Sequence, residues 1–203
     1  MEILSIFKAL TDVLNFNKEK LNELDGIMGD SDFGSNICRG FEEIVKKGSQ
    51  FTKDTTLGQD LKVCGMTIMS KVGGTSGILL GKGVLAMSEQ VKDKYELKNS
   101  DVERMLRAAI TMISGLGKAT IGDKTLLDAL EPAANAFAFA KDNEPLAFRY
   151  AGLEARRGAE ATIPMISKRG RSSYLGERSK GHMDAGALAV ALIFETLSSL
   201  NLK

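Results

Sequence analysis

The chain has 203 residues, of which 43% are hydrophobic and 26% are charged, and its net charge is +1. This composition is typical of one soluble globular domain, and the small net charge gives no global field that would attract nucleic acid or an anionic membrane. Because the chain begins without the basic region of a signal peptide, and Cys38 and Cys64 form no CxxC pair, we expect a cytoplasmic protein with reduced thiols.

Apolar residues recur every three or four positions along most of the chain, which is the spacing of amphipathic helices. The first such row runs from Ile3 to Leu24 and is interrupted only at Asn17. Similar rows cover residues 102–116 and 188–200, and alternating strand-like runs are absent from the sequence. We therefore predict an all-α protein of about eight helices, packed as an antiparallel bundle or a closed ring.

The segment that begins at Asp25 reads DGIMGDSDFGSN and carries three carboxylates within eight positions. On an unbroken helix Asp30 would point away from Asp25 and Asp32, but Gly26 and Gly29 permit a bend that brings all three together. Such a cluster repels itself unless a cation neutralises it, and hard oxygen ligands suit Mg²⁺ or Ca²⁺. A solvated acidic turn is the simpler alternative.

The spacing of this segment does not fit an EF-hand loop. Its sixth and twelfth positions would be Ser35 and Phe41, where that loop requires glycine and glutamate. Mg²⁺ instead takes one or two carboxylates per ion and completes its shell with water and phosphate. Two Mg²⁺ on three aspartates would carry a charge of about +1, and a helix that begins near Gly34 would add free N–H groups. A nucleotide diphosphate or triphosphate is the expected ligand.

The glycine-rich segment GGTSG at residues 73–77 has two interpretations. Small residues allow two helices to pack closely, which is the more common reason for such a run. Thr75 and Ser76 at the head of a helix could also donate hydrogen bonds to phosphate. The Walker A motif is not met, because Gly83 stands where the serine or threonine should follow Gly81 and Lys82.

A polar segment at residues 168–184 carries five basic side chains and the only histidine of the chain, His182. A basic loop is most often a solvated face, and with Tyr174 inside it the segment could also contact RNA, although nothing else in the chain supports nucleic acid. Beside a magnesium site, an arginine in such a loop is suited to hold phosphate. His182 could act as a general base, but a lone histidine more often has a structural role. The sequence identifies no catalytic residue.

Together these segments resemble the ADP-binding L subunit of bacterial dihydroxyacetone kinases. Residues 24–34 are similar to the L-D-x-x-x-G-D-x-D-H-G signature of that family. Further segments match its motifs in the same order: residues 73–77, 122–125, 161–165, 169–178 and 181–187. The resemblance spans almost the whole chain, and it implies a single nucleotide-binding L-type domain over residues 1–203, folded as an eight-helix barrel with ADP and two Mg²⁺ at one end.

The resemblance assigns the metal ions to Asp25, Asp30 and Asp32. It implies nucleotide contacts at these positions: Phe33, Gly34, Ser35, Asn36, Thr75, Ser76, Gly117, Leu126, Arg171, Asp184, Ala185 and Gly186. Three of these depart from the family pattern, since Phe33 replaces histidine, Leu126 replaces a frequent methionine and Ala185 replaces proline. The change at Phe33 is the most consequential, because it removes a hydrogen-bond donor beside the phosphates.

In this family the L subunit presents the phosphoryl group, and a separate K subunit binds dihydroxyacetone covalently through its own histidine. Enzymes that fuse the two modules use exchangeable ATP, whereas a separate L chain implies ADP that stays bound and is rephosphorylated by a phosphotransferase-system protein. The resemblance thus implies a phosphotransferase subunit that works as a homodimer or as a hetero-oligomer with K. Phosphoryl transfer needs positioning and charge neutralisation more than covalent protein chemistry, which agrees with the residues present.

Two other functions stay open at this point. A non-enzymatic relative could keep the nucleotide and act as a co-activator of a transcription regulator, which the change at Phe33 favours. The same module could also belong to a kinase with another acceptor, such as a fatty-acid carrier, although those relatives normally carry extra domains. Sugar turnover with a K partner separates the enzyme from the co-activator.

Overall fold

The computed structural model describes residues 2–200, apart from the side chains of Met28, Glu144 and Pro145. Within that range the chain forms nine α-helices and two 3-10 segments, and no strand. The helices are α1 Ile3–Phe16, α2 Lys18–Met28, α3 Phe33–Lys46, α4 Leu57–Lys71, α5 Gly74–Gln90, α6 Asn99–Gly117, α7 Leu127–Ala140, α8 Glu144–Ala161 and α9 Ala185–Ser199. The 3-10 segments are Gly48–Gln50 and Arg171–Ser179. The predicted all-α fold is confirmed.

The first apolar row forms two helices because Asn17 ends α1. The Asn17 side chain and its own backbone N–H both donate to the carbonyl oxygen of Val13, at 2.9 and 3.1 Å. This closes the last turn, and α2 begins at the next residue. The leucines of the row still face the core, since Leu14 and Leu21 are fully buried on either side of the break.

Eight of the described helices form a closed ring, and α2 lies outside it. Contacts run from α1 to α3, and then in chain order from α3 through to α9. The ring closes because α9 also packs on α1. A closed ring is one of the two helix arrangements that the sequence predicted. Helix α2 packs on α3, α9 and the segment Arg171–Ser179, so it brings its end to one rim of the ring.

The described residues form three clusters of buried apolar side chains, and the two largest share the partly buried Leu80 and Met183. One stripe of α8 consists of alanines at four-residue steps, all fully buried: Ala147, Ala151, Ala155 and Ala159. Side chains this small allow α7 and α9 to approach α8 closely. Among the described helices, none has the length and apolar character needed to cross a membrane.

Both cysteines are free and buried in this core. Burial raises the pKa of the Cys38 thiol to about 11 and that of Cys64 to about 12. Thiols with raised pKa values stay protonated at neutral pH and are poor nucleophiles. The two cysteines therefore act as packing residues.

Candidate functional site

The connection between α2 and α3 gathers the three aspartates. Helix α2 continues through Gly26 to Met28, so the bend occurs later than Gly26, over residues 29–32. Gly26 has a different role, because a Cβ there would lie 2.0 Å from the Oγ of Ser31 and would block the turn from folding back on α2. One carboxylate oxygen each of Asp25, Asp30 and Asp32 lies within 4.8 Å of the others.

Each carboxylate has a different environment. Asp25 is half-buried, and its Oδ2 accepts the N–H groups of Asp32 at 3.1 Å and Phe33 at 3.2 Å, so it caps α3 from the end of α2. Asp30 and Asp32 are exposed. The guanidinium of Arg171 donates to Asp30, and this hydrogen bond holds the pKa of Asp30 below its usual value. The basic segment thus lies over the acidic turn.

A cavity of about 370 Å³ opens beside this turn. All three aspartates line it, together with most of the residues predicted to contact nucleotide: Phe33, Asn36, Thr75, Ser76, Gly117, Leu126, Arg171, Asp184, Ala185 and Gly186. The ends of α2, α3, α5, α6, α7 and α9 therefore meet at one rim of the ring. That these residues bind metal and nucleotide stays a prediction.

Gly34 and Ser35 do not line this cavity. Gly34 faces α2, where a Cβ would lie 2.2 Å from the carbonyl oxygen of Lys18. The Ser35 N–H donates to Oδ1 of Asn22 at 3.0 Å, and the N–H of Phe33 is bonded to Asp25. The expectation that α3 begins with free N–H groups is therefore wrong at Phe33 and Ser35, because the outlying helix α2 covers this side of α3.

The segment at residues 73–77 fits both of its interpretations. Gly73 and Gly74 adopt positive φ angles of 74° and 59°, which suit glycine, and they turn the chain so that α5 begins at the cavity rim. Farther along, Gly81 packs against α4, where a Cβ would lie 2.7 Å from the carbonyl oxygen of Gly65. The first half of the segment thus shapes the cavity, and the following turns give close packing.

Asp184 shapes the opposite edge of the cavity. Its Oδ1 accepts the N–H of Ala187 at 2.7 Å and caps α9, and its own N–H donates to Oγ1 of Thr162 at 3.0 Å. Burial, helped by the nearby Asp128 carboxylate, raises the pKa of Asp184 to about 6. Gly186 leaves room beside this carboxylate, since a Cβ there would lie 3.1 Å from Asp184 Oδ1.

His182 lines a different groove, between α2 and α9. It is half-buried, and its carbonyl oxygen accepts a hydrogen bond from Lys124. It does not line the cavity that holds the aspartates. The placement favours a structural role for His182.

Comparisons with known proteins agree with this geometry. The model of the DAK2 domain family matches residues 27–199. The chain belongs to the DAK2 domain family. It is 35% identical over 190 residues to the PEP-dependent dihydroxyacetone kinase, ADP-binding subunit DhaL, of Escherichia coli (strain K12), which covers 92% of this chain and 90% of that protein. It is 38% identical over 181 residues to the PTS-dependent dihydroxyacetone kinase, ADP-binding subunit DhaL, of Lactococcus lactis, with 89% and 87% covered. The resemblance drawn from the motifs is confirmed.

A solved structure shares the fold of this DAK2 domain. The dihydroxyacetone kinase from C. freundii in complex with AMP-PNP and Mg²⁺ superposes with a TM-score of 0.78 at 25% identity, over 97% of this chain. The chain spans only about a third of that larger protein, 33% of its length. The likeness therefore concerns one module of that kinase.

The three departures from the family pattern are all buried. Phe33 is 8% exposed and packs in the core cluster of α1 and α3, Leu126 is 8% exposed, and Ala185 is 5% exposed. Their apolar side chains therefore fit the packing of this DAK2 domain. The phenyl group of Phe33 makes core contacts at a position where the family has a hydrogen-bond donor.

Sequence reasoning missed the turn between α6 and α7. Asp123 is buried and accepts a hydrogen bond from Nε of Arg169 at 2.9 Å, while the ammonium of Lys168 lies 3.4 Å away. Burial alone would raise the pKa of Asp123, but Arg169, the Thr120 N–H and Lys168 outweigh it and hold that pKa below its usual value. Two of the five basic residues thus anchor their own segment. The family motif at residues 122–125 marked this turn but indicated no role for it.

Proposed function

We propose that this chain is the ADP-binding subunit of a dihydroxyacetone kinase, and that residues 1–203 act as one nucleotide-binding L-type domain. One observation carries the proposal, namely the convergence of three carboxylates and Arg171 at the edge of a cavity of about 370 Å³. Relatives named as ADP-binding subunits of such kinases support it.

The carboxylates fit Mg²⁺ in number and chemistry. Two oxygens on one Mg²⁺ lie at most about 4.2 Å apart, since each bond is about 2.1 Å. The three oxygens lie within 4.8 Å of one another, which is slightly beyond this limit, so in this proposal two ions share the cluster. Oδ2 of Asp25 is occupied by capping N–H groups, whereas Oδ1 faces Gly29, where the absence of a side chain leaves it open. Bound Mg²⁺ would neutralise the charge of the phosphates.

The remaining residues of the cavity would position the nucleotide. In this proposal Arg171 moves its guanidinium from Asp30 to a phosphate, where its planar fork can donate two hydrogen bonds. Thr75 and Ser76, in the first turn of α5, donate to the same phosphates. Phosphoryl transfer needs little more from the protein than this positioning and charge neutralisation.

The acceptor and the phosphoryl donor belong to other polypeptides in this proposal. A K subunit would hold dihydroxyacetone, and the chain would work in the cytoplasm as a homodimer or as a hetero-oligomer with K. The names of the relatives, PEP-dependent and PTS-dependent dihydroxyacetone kinase, support a phosphotransferase-system protein as the donor that rephosphorylates bound ADP in place.

The test measures nucleotide binding through its effect on the unfolding free energy. Magnesium ADP at a hundred times its Kd should raise the unfolding free energy by about 2.7 kcal/mol. Asp30→Ala should abolish this gain, because it removes one of the three ligands. Asp93→Ala, which replaces an exposed carboxylate outside the cavity, should retain it. An equal gain in the Asp30 variant, independent of Mg²⁺, would refute the site.

A further inference from the structure

Lys124 is a buried cation that the proposed chemistry does not use. It lies between α6 and α7 and is 2% exposed. Its Nζ donates to four backbone carbonyl oxygens: Thr162 at 2.9 Å, Met165 at 3.3 Å, Ser179 at 2.7 Å and His182 at 2.6 Å. An ammonium has three N–H donors. Four convergent carbonyls therefore saturate it, and it has no donor to spare for a phosphate.

All four acceptors belong to the connection between α8 and α9, residues 162–184. The connection consists of a loop and the 3-10 segment Arg171–Ser179, which is interrupted at Gly176. Residues near its beginning and near its end therefore meet at the single ammonium of Lys124. The same connection brings Arg171 to Asp30 and Asp184 to the cavity edge.

The turn that carries Lys124 is built to hold this connection. Lys124 has a φ of +61°, a conformation that residues other than glycine rarely adopt, so the position keeps a long side chain at some cost in strain. The neighbouring Asp123 accepts the Lys168 N–H through its carbonyl oxygen at 3.1 Å, in addition to binding Arg169. Burial lowers the pKa of Lys124, and the nearby Asp184 carboxylate raises it.

We propose that Lys124 is a positioning residue for the nucleotide site: its ammonium fixes residues 162–184 so that Arg171 and Asp184 face the cavity, and it does not contact the nucleotide itself. This inference rests on the proposed function. An ammonium suits the task because charge-assisted hydrogen bonds to carbonyls are strong and its three donors point in different directions. A methionine of similar length fills the same space without a donor.

Hydrogen exchange of the full chain without ligand tests whether Lys124 keeps the connection between α8 and α9 ordered. In Lys124→Met, amides of residues 163–182 should exchange at least about tenfold faster, while those of α4 keep their rates. The control is Lys180→Met, since Lys180 is an exposed lysine of the same connection whose ammonium lies 2.7 Å from the carboxylate of Glu177, within that connection. If the ordered connection falls to about a tenth of the population, ADP affinity falls about tenfold. The Lys180 variant should stay within about threefold of wild type.

Two outcomes would overturn the proposal. If ADP affinity falls but exchange in residues 163–182 is unchanged, Lys124 contacts the ligand directly. If exchange rises equally throughout the chain, Lys124 is an ordinary core residue. A wild-type chain that binds no ADP would refute the proposed function, yet the ligand-free comparison would still decide whether Lys124 holds the connection.

A measurement on the wild-type chain covers the case in which Lys124→Met fails to fold. Competitive acylation followed by mass spectrometry compares the reactivity of Lys124 with that of the exposed Lys168 and Lys180. Lys124 should be labelled at least about a hundredfold more slowly, because its amine is released only when the connection opens. Magnesium ADP should slow its labelling further. Labelling of Lys124 at the rate of Lys168 would contradict the proposal.

Discussion

Replacing Gly29 with alanine places a methyl group against the carboxylate that we propose to bind Mg²⁺. A Cβ at Gly29 would lie 2.6 Å from Asp25 Oδ1 and 3.2 Å from Asp25 Cγ. Ordinary contacts of this kind begin at 3.4 Å, so the carboxylate oxygen must shift by about 0.8 Å. Mg²⁺ demands near-ideal octahedral geometry with bonds of about 2.0–2.1 Å, and a shift of this size removes the oxygen from its shell.

The expected loss of affinity follows from one missing ligand contact. A hydrogen bond or contact to a charged group contributes about 1.5–3 kcal/mol, which corresponds to about a 10- to 100-fold weaker Kd for ADP in Mg²⁺. Stability should change little. A weaker Asp25 cap on α3 should lower the unfolding free energy by about 0.5–2 kcal/mol. Alanine should raise it by about 0.4–1 kcal/mol, because it reduces the conformational entropy of the unfolded chain.

The assay is calorimetric titration of ADP at fixed Mg²⁺, with urea unfolding of the same samples. Gly115→Ala is the matched control, because it also replaces a glycine near the end of a helix and its Cβ would meet nothing within 4 Å. We expect wild-type affinity and slightly higher stability from that variant. An ADP affinity of Gly29→Ala within about threefold of wild type would refute the reasoning.

Three further results are expected. Arg171→Lys should lower ADP affinity nearly as much as Arg171→Ala, because a point charge cannot replace the planar fork of the guanidinium. If Lys180→Ala and the Arg171 variants all lower ADP affinity by the same small factor, the segment contributes only a diffuse electrostatic field. The isolated chain should not phosphorylate dihydroxyacetone until a K-type subunit is added, and steady turnover by the chain alone would contradict this. Burial raises the pKa of Asp184 to about 6, so the folded state binds this proton more tightly than the unfolded chain, and the contribution of Asp184 to unfolding free energy falls as pH rises from about 4 to about 6. Asp184→Asn should remove part of this decrease in unfolding free energy, measured by urea unfolding at pH 4–7. If the variant shows the same dependence of unfolding free energy on pH as the wild type, Asp184 is not its source.

The helices and the acidic turn could be predicted because their signals are local. The spacing of apolar residues fixes which face of each helix is buried, and the leucines on both sides of Asn17 are buried as expected. Asp25, Asp30 and Asp32 lie within eight positions, so a single bend brings them together. The break at Asn17 depends on one side chain that bonds to the preceding turn, which periodicity does not reveal.

The remaining parts of the site depend on contacts between distant residues. Arg171 reaches Asp30 across 141 positions, and although the family resemblance assigned both residues to one nucleotide site, it did not predict that they pair. Lys124 binds backbone carbonyls 38–58 positions away, and a carbonyl carries no sequence signal. The family resemblance implied nucleotide contacts at Gly34 and Ser35, yet the packing of α2 against α3 turns them away from the cavity.

The alanine stripe of α8 has a consequence for how this protein can vary. A fully buried alanine between two closely packed helices can change almost only to a larger residue, and overpacking of this kind typically costs about 1–3 kcal/mol. Larger side chains should therefore be poorly tolerated at the four positions of the stripe, and glycine or serine should be the mildest replacements: Ala147, Ala151, Ala155 and Ala159. In a scan of all single variants these four positions should stand out as a periodic band of intolerance along α8.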